Sequence, residues 1–311
     1  MNPNTAVVLH NGSPVEAPWA EQTAAVLEMY LGGQGVGEAE DALLFGEKNP
    51  SGHLAESFPL RLEDNPSYLN FNTSPEHCIY AEGIYVGYRY YEKKKMPVRW
   101  TFGRGLSYTA FTVGNIRLSS ASFDDEGTVD ITADVTNTGE REGKAVVQLY
   151  IRDENGTPDR PVKELKGFAK VMLKPGETKS VTMTINALSL SYYEERLGDW
   201  YAPSGTYTLL LGDASDHITA ETALSFSTKK TLPIREDGSM TIGELRQDPR
   251  TAAAAKKILS YWGPMKSPDI DENDPLLQEM TRFMPLKFVT ASGELSLEEA
   301  YEMIHQALGG K

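Results

Sequence analysis

The sequence predicts a multi-domain α/β plus all-β chain, on three observations. Up to residue 65, apolar strand-like runs alternate with helix-like segments, the order expected of a sheet covered by helices. From Gly114 the apolar residues switch to a period of two with turn residues between the runs, the pattern of a β-sandwich. After Lys230 the period becomes helical.

Each element follows in order. Ala6-Val7-Val8-Leu9 is a short apolar run before Asn11-Gly12-Ser13-Pro14, so a buried strand ending in a turn is predicted. Trp19 to Leu31 reads as a helix, with Thr23, Leu27, Tyr30 and Leu31 on one stripe and Gly32-Gly33 as its stop. Residues 38–45 read as a second helix, and Leu54 to Leu60 as a strand. Two strands do not complete a parallel sheet, so this α/β part is predicted to be partial. Residues 66–112 are rich in Tyr, Pro and Gly and read as extended loops with short strands. Val129, Ile131, Ala133 and Val135 then alternate with Asp130, Thr132 and Asp134, before a turn at Asn137-Thr138-Gly139. Val147, Leu149 and Ile151 share one face of the next strand. Lys174-Pro175-Gly176-Glu177 is a turn, followed by Val181, Met183 and Ile185. Thr206 to Leu211 and Leu224 to Ser227 supply later strands. In the tail, Thr241 with Glu244 and Ser296 with Glu299 fit capping boxes, and Leu297, Ala300, Tyr301, Ile304 and Leu308 form one stripe. Ser267 to Pro275 reads as an acidic exposed loop.

Composition narrows the function classes. The 311 residues carry a net charge of −14, a field that repels phosphate backbones and anionic lipid, so neither nucleic acid nor membrane is an expected partner. A neutral sugar is indifferent to it. One cysteine, Cys78, allows no intrachain disulfide and no multi-thiolate metal site. The five histidines show no H-E-x-x-H spacing, and no metal is predicted. Gly32-Gly33-Gln34-Gly35-Val36-Gly37 fails the dinucleotide spacing, because Glu38 stands at the last glycine position. No Ser lies in G-x-S-x-G. Met1-Asn2-Pro3-Asn4 lacks the charged and apolar regions of a signal peptide, which favours a cytoplasmic location.

The densest wording lies at Tyr80-Ala81-Glu82-Gly83-Ile84-Tyr85-Val86-Gly87-Tyr88-Arg89-Tyr90-Tyr91-Glu92 and Trp100-Thr101-Phe102-Gly103-Arg104-Gly105-Leu106-Ser107-Tyr108. This segment resembles the junction between the α/β sandwich and the fibronectin-like domain of family 3 glycoside hydrolases, the β-glucosidase group. Asn2-Pro3-Asn4, Asn11-Gly12-Ser13-Pro14, Tyr30-Leu31-Gly32-Gly33-Gln34, Leu44-Phe45-Gly46 and Asn49-Pro50-Ser51-Gly52-His53-Leu54 are similar to that family's α/β sandwich in the same order. His53 stands where the family usually carries Lys or Arg. Val135-Thr136-Asn137-Thr138-Gly139, Val146-Val147-Gln148-Leu149-Tyr150 and Lys163-Glu164-Leu165-Lys166-Gly167-Phe168 resemble its fibronectin-type domain. Met284-Pro285-Leu286 and Ser296 to Leu308 are similar to a helical C-terminal extension.

The resemblance implies a partial α/β sandwich over residues 1–65, a connecting segment over 66–112, a fibronectin type III-like β-sandwich over 113–229 and a helical C-terminal tail over 230–311. In the complete enzyme it implies hydrolysis of terminal, non-reducing β-linked glucose or a related sugar, with retention and without a cofactor. The family's nucleophilic Asp lies on a catalytic barrel far upstream, and its acid/base Glu lies shortly before the Asn-Pro-Asn strand. No catalytic residue is therefore assigned in this chain, and the barrel is the expected partner, as an N-terminal part or a separate chain. Gln34, Tyr80 and Glu82 are the candidate substrate-side contacts. Glu82 is also weighed as a substitute acid/base, against an ion pair with Arg89 or Arg99. Gln34 is weighed against a loop hydrogen bond. Tyr85, Tyr88, Tyr90, Tyr91 and Trp100 offer sugar-stacking faces or domain packing. Half an enzyme, a stand-alone carbohydrate-binding module and a structural module forming a homo-oligomer are the three functional readings.

Overall fold

The computed structural model describes residues 2, 4–71, 73–155, 159–266, 274–291 and 294–309. The acidic loop predicted from Ser267 lies, up to residue 273, outside the described residues. The chain divides into two compact units, Met1–Tyr193 with Trp200–Lys230, and Glu194–Asp199 with Thr231–Lys311.

The first unit opens with β1 (Ala6–Leu9) paired in parallel to β2 (Ala25–Glu28), Ala6 opposite Ala25 and Leu9 opposite Glu28. The helix predicted from Trp19 to Leu31 is therefore wrong: a 3₁₀ turn at Ala20–Gln22 leads straight into β2. A short apolar run fits a buried strand as well as a helical stripe. Here the ladder decides, extended by Ala24 N–H to the Thr5 carbonyl and Met29 N–H to the Leu9 carbonyl. α1 (Val36–Leu44) forms where the second helix is predicted. The strand predicted from Leu54 to Leu60 shrinks to β3 (Phe58–Pro59), antiparallel to the later β4 (Val98–Trp100). Between them lies α2 (Tyr88–Lys94), a helix that the extended-loop reading of this segment misses. Gly87 at φ 58° starts it and Lys95 at φ 53° stops it, while Tyr88 and Tyr91, three residues apart, bury one face.

The sandwich follows the period-two reading closely. Its strands are β5 (Phe111–Leu118), β6 (Ser122–Asp124), β7 (Thr128–Asn137), β8 (Gly143–Asp153), β9 (Glu164–Leu173), β10 (Thr178–Asn186), β11 (Tyr192–Glu194), β12 (Asp199–Tyr201), β13 (Gly205–Ala214) and β14 (His217–Ser227). α3 (Ala187–Leu190) follows β10. One sheet has the order β10-β7-β5, the other β6-β14-β13-β8-β9, and β11 with β12 makes a separate two-stranded ladder. Val129, Ile131, Ala133 and Val135 of the first share a core with Val147, Leu149, Leu209, Leu211 and Leu224 of the second. The turn at Lys174–Glu177 closes with Glu177 N–H on the Lys174 carbonyl, and Gly176 takes φ 72°, the positive value a type II turn asks of its third residue.

The second unit is helical: α4 (Ile242–Gln247), α5 (Ala252–Leu259), α6 (Pro275–Arg282), α7 (Leu286–Thr290) and α8 (Leu297–Ala307). Ile242, Leu245, Ile258, Leu286, Val289, Ala300 and Ile304 form its core. Both predicted capping boxes are present: Thr241 Oγ1 accepts from Glu244 N–H at 3.1 Å, and Ser296 Oγ from Glu299 N–H at 3.1 Å.

Candidate functional site

The Tyr/Gly-rich segment folds onto the sandwich through side chains that sequence spacing does not reveal. Tyr88 stacks on Phe102 at 4.8 Å and meets Tyr150 edge-on at 5.9 Å. Its hydroxyl accepts from Leu165 N–H at 2.8 Å. Lys163 donates to Glu92 at 2.5 Å, and Arg89 pairs with Glu164 at 3.3 Å. Burial pushes the Glu92 carboxyl up despite Lys163. Burial would also raise Glu164, but Lys166, Arg160 and Arg89 outweigh it and hold that carboxyl below its ordinary value. Tyr85 donates to Asp159 at 2.7 Å.

A second set of contacts fixes the far end of the segment. His53 Nδ1 lies 2.5 Å from the Gly103 carbonyl and 3.1 Å from the Asp213 carbonyl. Two carbonyls around one nitrogen require that nitrogen to carry the proton, so His53 is a donor, as the Lys or Arg of the resembling family would be. Gln148 Nε2 donates to the same two carbonyls at 3.1 and 2.7 Å. Asn49 Oδ1 accepts from Tyr108 N–H at 2.7 Å.

Between this segment and the α/β part lies a cleft of about 710 Å³, with Glu16, Glu56, Glu82, Tyr88, Arg89 and Tyr91 in its walls. That volume suits a sugar-sized or larger ligand. Burial pushes the Tyr91 phenol up to about 12, reinforced by Asp64, Tyr90 and Glu56, so at neutral pH its hydroxyl stays protonated. The Glu82 side chain is half-buried, and its Oε2 is shielded from solvent with no hydrogen-bond partner. Arg89 is taken by Glu164 and Arg99 by Glu21 at 2.7 Å, so neither cation expected for Glu82 serves it. A shielded carboxylate oxygen in an aromatic-walled cleft can accept from a hydroxyl or a cationic donor.

The other two candidates sit elsewhere. Gln34 is exposed in the loop before α1, and Tyr80 is 78% exposed; neither lines the cleft. Among the aromatics, Trp100 packs edge-on against Phe58 at 5.3 Å and Tyr90 against Tyr91 at 5.5 Å, so these rings are engaged in packing. Glu16 and Glu56 escaped the sequence reading because no motif marks them; only the fold carries them to Glu82. Glu16 Oε1 accepts from Leu62 N–H at 2.6 Å. Among the described residues no group of three or more His, Cys, Asp or Glu side chains is arranged to hold a metal ion, and no helix is long and apolar enough to cross a membrane.

A partial parallel sheet, a Tyr/Gly-rich junction and a fibronectin-like sandwich in this order define the C-terminal region of a glycoside hydrolase. Residues 1–88 match the glycosyl hydrolase family 3 C-terminal domain, and residues 145–215 match the fibronectin type III-like domain. The chain belongs to family 3 and is a C-terminal portion of that architecture. It is similar to the thermostable beta-glucosidase B of Acetivibrio thermocellus, 38% identical over 97% of this chain and 40% of the relative. The probable beta-glucosidase I of Aspergillus clavatus is 42% identical over 74% of this chain and 28% of its own length. Among solved structures, the Bifidobacterium adolescentis GH3 beta-glucosidase superposes with a TM-score of 0.73 at 37% identity, covering 83% of this chain and 37% of the other. The glucose complex of the Kluyveromyces marxianus beta-glucosidase gives 0.69 at 41% identity, over 73% and 27%. The chain thus spans less than half the length of each of these relatives.

Proposed function

We propose that this chain is the non-catalytic C-terminal portion of a retaining β-glucosidase-like hydrolase that removes terminal β-linked glucose or a related sugar. Within it we assign residues 1–65 to the end of the α/β sandwich, 66–112 to the junction, 113–229 to the fibronectin-like sandwich and 230–311 to a helical extension. The observation that carries the reading is that β1 and β2 form a parallel sheet of two strands by themselves. In the same unit Leu31, Phe45, Leu69 and Phe71 stand largely exposed. Two strands with open edges and uncovered apolar side chains call for further polypeptide, and the relatives are more than twice as long. A catalytic barrel, in an N-terminal part or as a separate chain, is the occupant we assign. Retaining hydrolysis needs two carboxyl groups about 5–5.5 Å apart in nucleophile and acid/base roles. Glu82 offers one shielded carboxylate, and we give it the role of a polar contact at the rim of the sugar site. Gln34 and Tyr80, on exposed loops, are placed as contacts toward the barrel side.

The purified 311 residues are expected not to hydrolyse an aryl β-glucoside. Mixing them with the separately expressed N-terminal portion of the Acetivibrio relative is expected to produce turnover. Hydrolysis by the chain alone that Glu82→Gln abolishes would overturn the reading, as would tight glucose binding by the chain alone, which marks an independent sugar-binding module.

A further inference from the structure

The helical unit presents an apolar stripe on the wrong side of one helix. α6 is held inward by Leu277 and Thr281: Thr281 is buried, and Arg246 of α4 donates to its hydroxyl at 2.9 Å and to Gln278 at 3.0 Å. Leu276 and Met280 on α6, and Phe283 at its C-cap, are 70%, 58% and 67% exposed. At 100° per residue they fall within an arc of about 60°, turned away from the Leu277–Thr281 side. Scattered exposed apolar residues need no explanation, but three aligned on one helical face do.

The charges beside the stripe indicate what covers it. Glu279 and Arg282 lie on the same flank, 3.7 Å apart, and the Arg282 guanidinium sits over the Phe283 ring at 5.2 Å. We propose that this face of α6 pairs with the same face of a second copy of the chain, antiparallel, about a two-fold axis close to Met280. That axis brings Leu276 against the partner's Phe283 and Met280 against the partner's Met280. It also brings Glu279 within about 3 Å, measured along the helix, of the partner's Arg282, twice over. Parallel alignment would instead place the two charged flanks on opposite sides of the interface, so that neither Glu279 would meet the partner's Arg282. The net charge of −14 turns the stripe away from anionic lipid. Three side chains from each copy make a small interface, so the dimer dissociates at about 1–100 µM.

Sedimentation velocity of the full chain across that range tests the pairing, with circular dichroism to establish that each variant is folded. The wild type is expected to pass from monomer to dimer. Met280→Glu is expected to remain monomeric. Glu279→Arg should weaken the dimer about tenfold, and the double variant Glu279→Arg/Arg282→Glu should restore it, because the swapped charges again face opposite partners. A wild type that stays monomeric overturns the proposal. So does a dimer that survives Met280→Glu, or a double variant as weak as the single one.

Discussion

Arg160 is the residue whose loss should be most informative about how β8 and β9 are tied together beside the junction. Its guanidinium donates to Asp153 at 3.0 Å, to Glu164 at 2.8 Å and to the Leu190 carbonyl at 2.9 Å, and it lies over the Tyr192 ring at 5.8 Å. The side chains of Arg160, Asp153 and Glu164 are only 10%, 8% and 15% exposed. Arg160→Met keeps the stem but leaves two shielded carboxylates short of a cation. Breaking a buried pair from one side costs about 3–5 kcal/mol. Because Glu164 keeps Arg89 and Lys166, the lower end, about 3 kcal/mol, applies. For a unit of this size that lowers the melting temperature by roughly 6–12 °C. Two units need not unfold together, so calorimetry is best joined to hydrogen exchange read at β8 and β9. Asp153→Asn added to Arg160→Met should recover part of the loss. The penalty also depends on pH. Glu164 is held below its ordinary value, so its contribution is present above the unfolded value near about 4.3 and fades as pH falls through the folded one. The variant should therefore approach the wild type as pH falls from the unfolded value through the lower folded one. A loss under about 1 kcal/mol at neutral pH, or a loss that does not vary with pH, refutes the account.

Three further outcomes follow from the caps, the turns and the buried phenol. Thr241→Ala and Ser296→Ala should each cost about 1 kcal/mol, seen as faster amide exchange at the starts of α4 and α8. Gly139→Ala would set a Cβ 2.3 Å from Thr109 Oγ1 and 2.7 Å from the Ala110 nitrogen. It should destabilise the sandwich by about 2 kcal/mol in chemical denaturation. Ultraviolet titration should find one phenol, absent in Tyr91→Phe, that ionises near 12. Its stability contribution is intact below about pH 10 and is lost as pH climbs toward the folded value.

Legibility in the sequence tracked how local the determinant is. The strands of the sandwich were readable because Val129 to Val135 need only a period of two, and the caps because Thr241 and Ser296 act within three residues. β2 was misread because Ala25 to Glu28 is too short for its period to decide, and its partner Ala6 to Leu9 lies elsewhere in the chain. α2 was missed because its tyrosines and glycine look like loop composition until Tyr88 finds Phe102 and Tyr150. Of the candidate site, Glu82 was legible and its setting was not. Glu16 and Glu56 in the same cleft, and the pairing of Arg89 and Arg99 with other carboxylates, are tertiary facts. The family itself was legible from ordered segments along the whole chain.

The hydrogen bonds made by His53, Gln148 and Asn49 bear on how such enzymes can be recombined. Composition changes near residue 112, which makes that point an inviting place to splice one relative's sandwich onto another's scaffold. Such a graft would orphan the Gly103 carbonyl from Gln148, and the Asn137 amide oxygen from Thr109, which donates to it at 2.8 Å. Chimeras should survive better when the crossover falls after Lys230, and libraries that vary position 148 should vary its neighbours at 53 and 103 together.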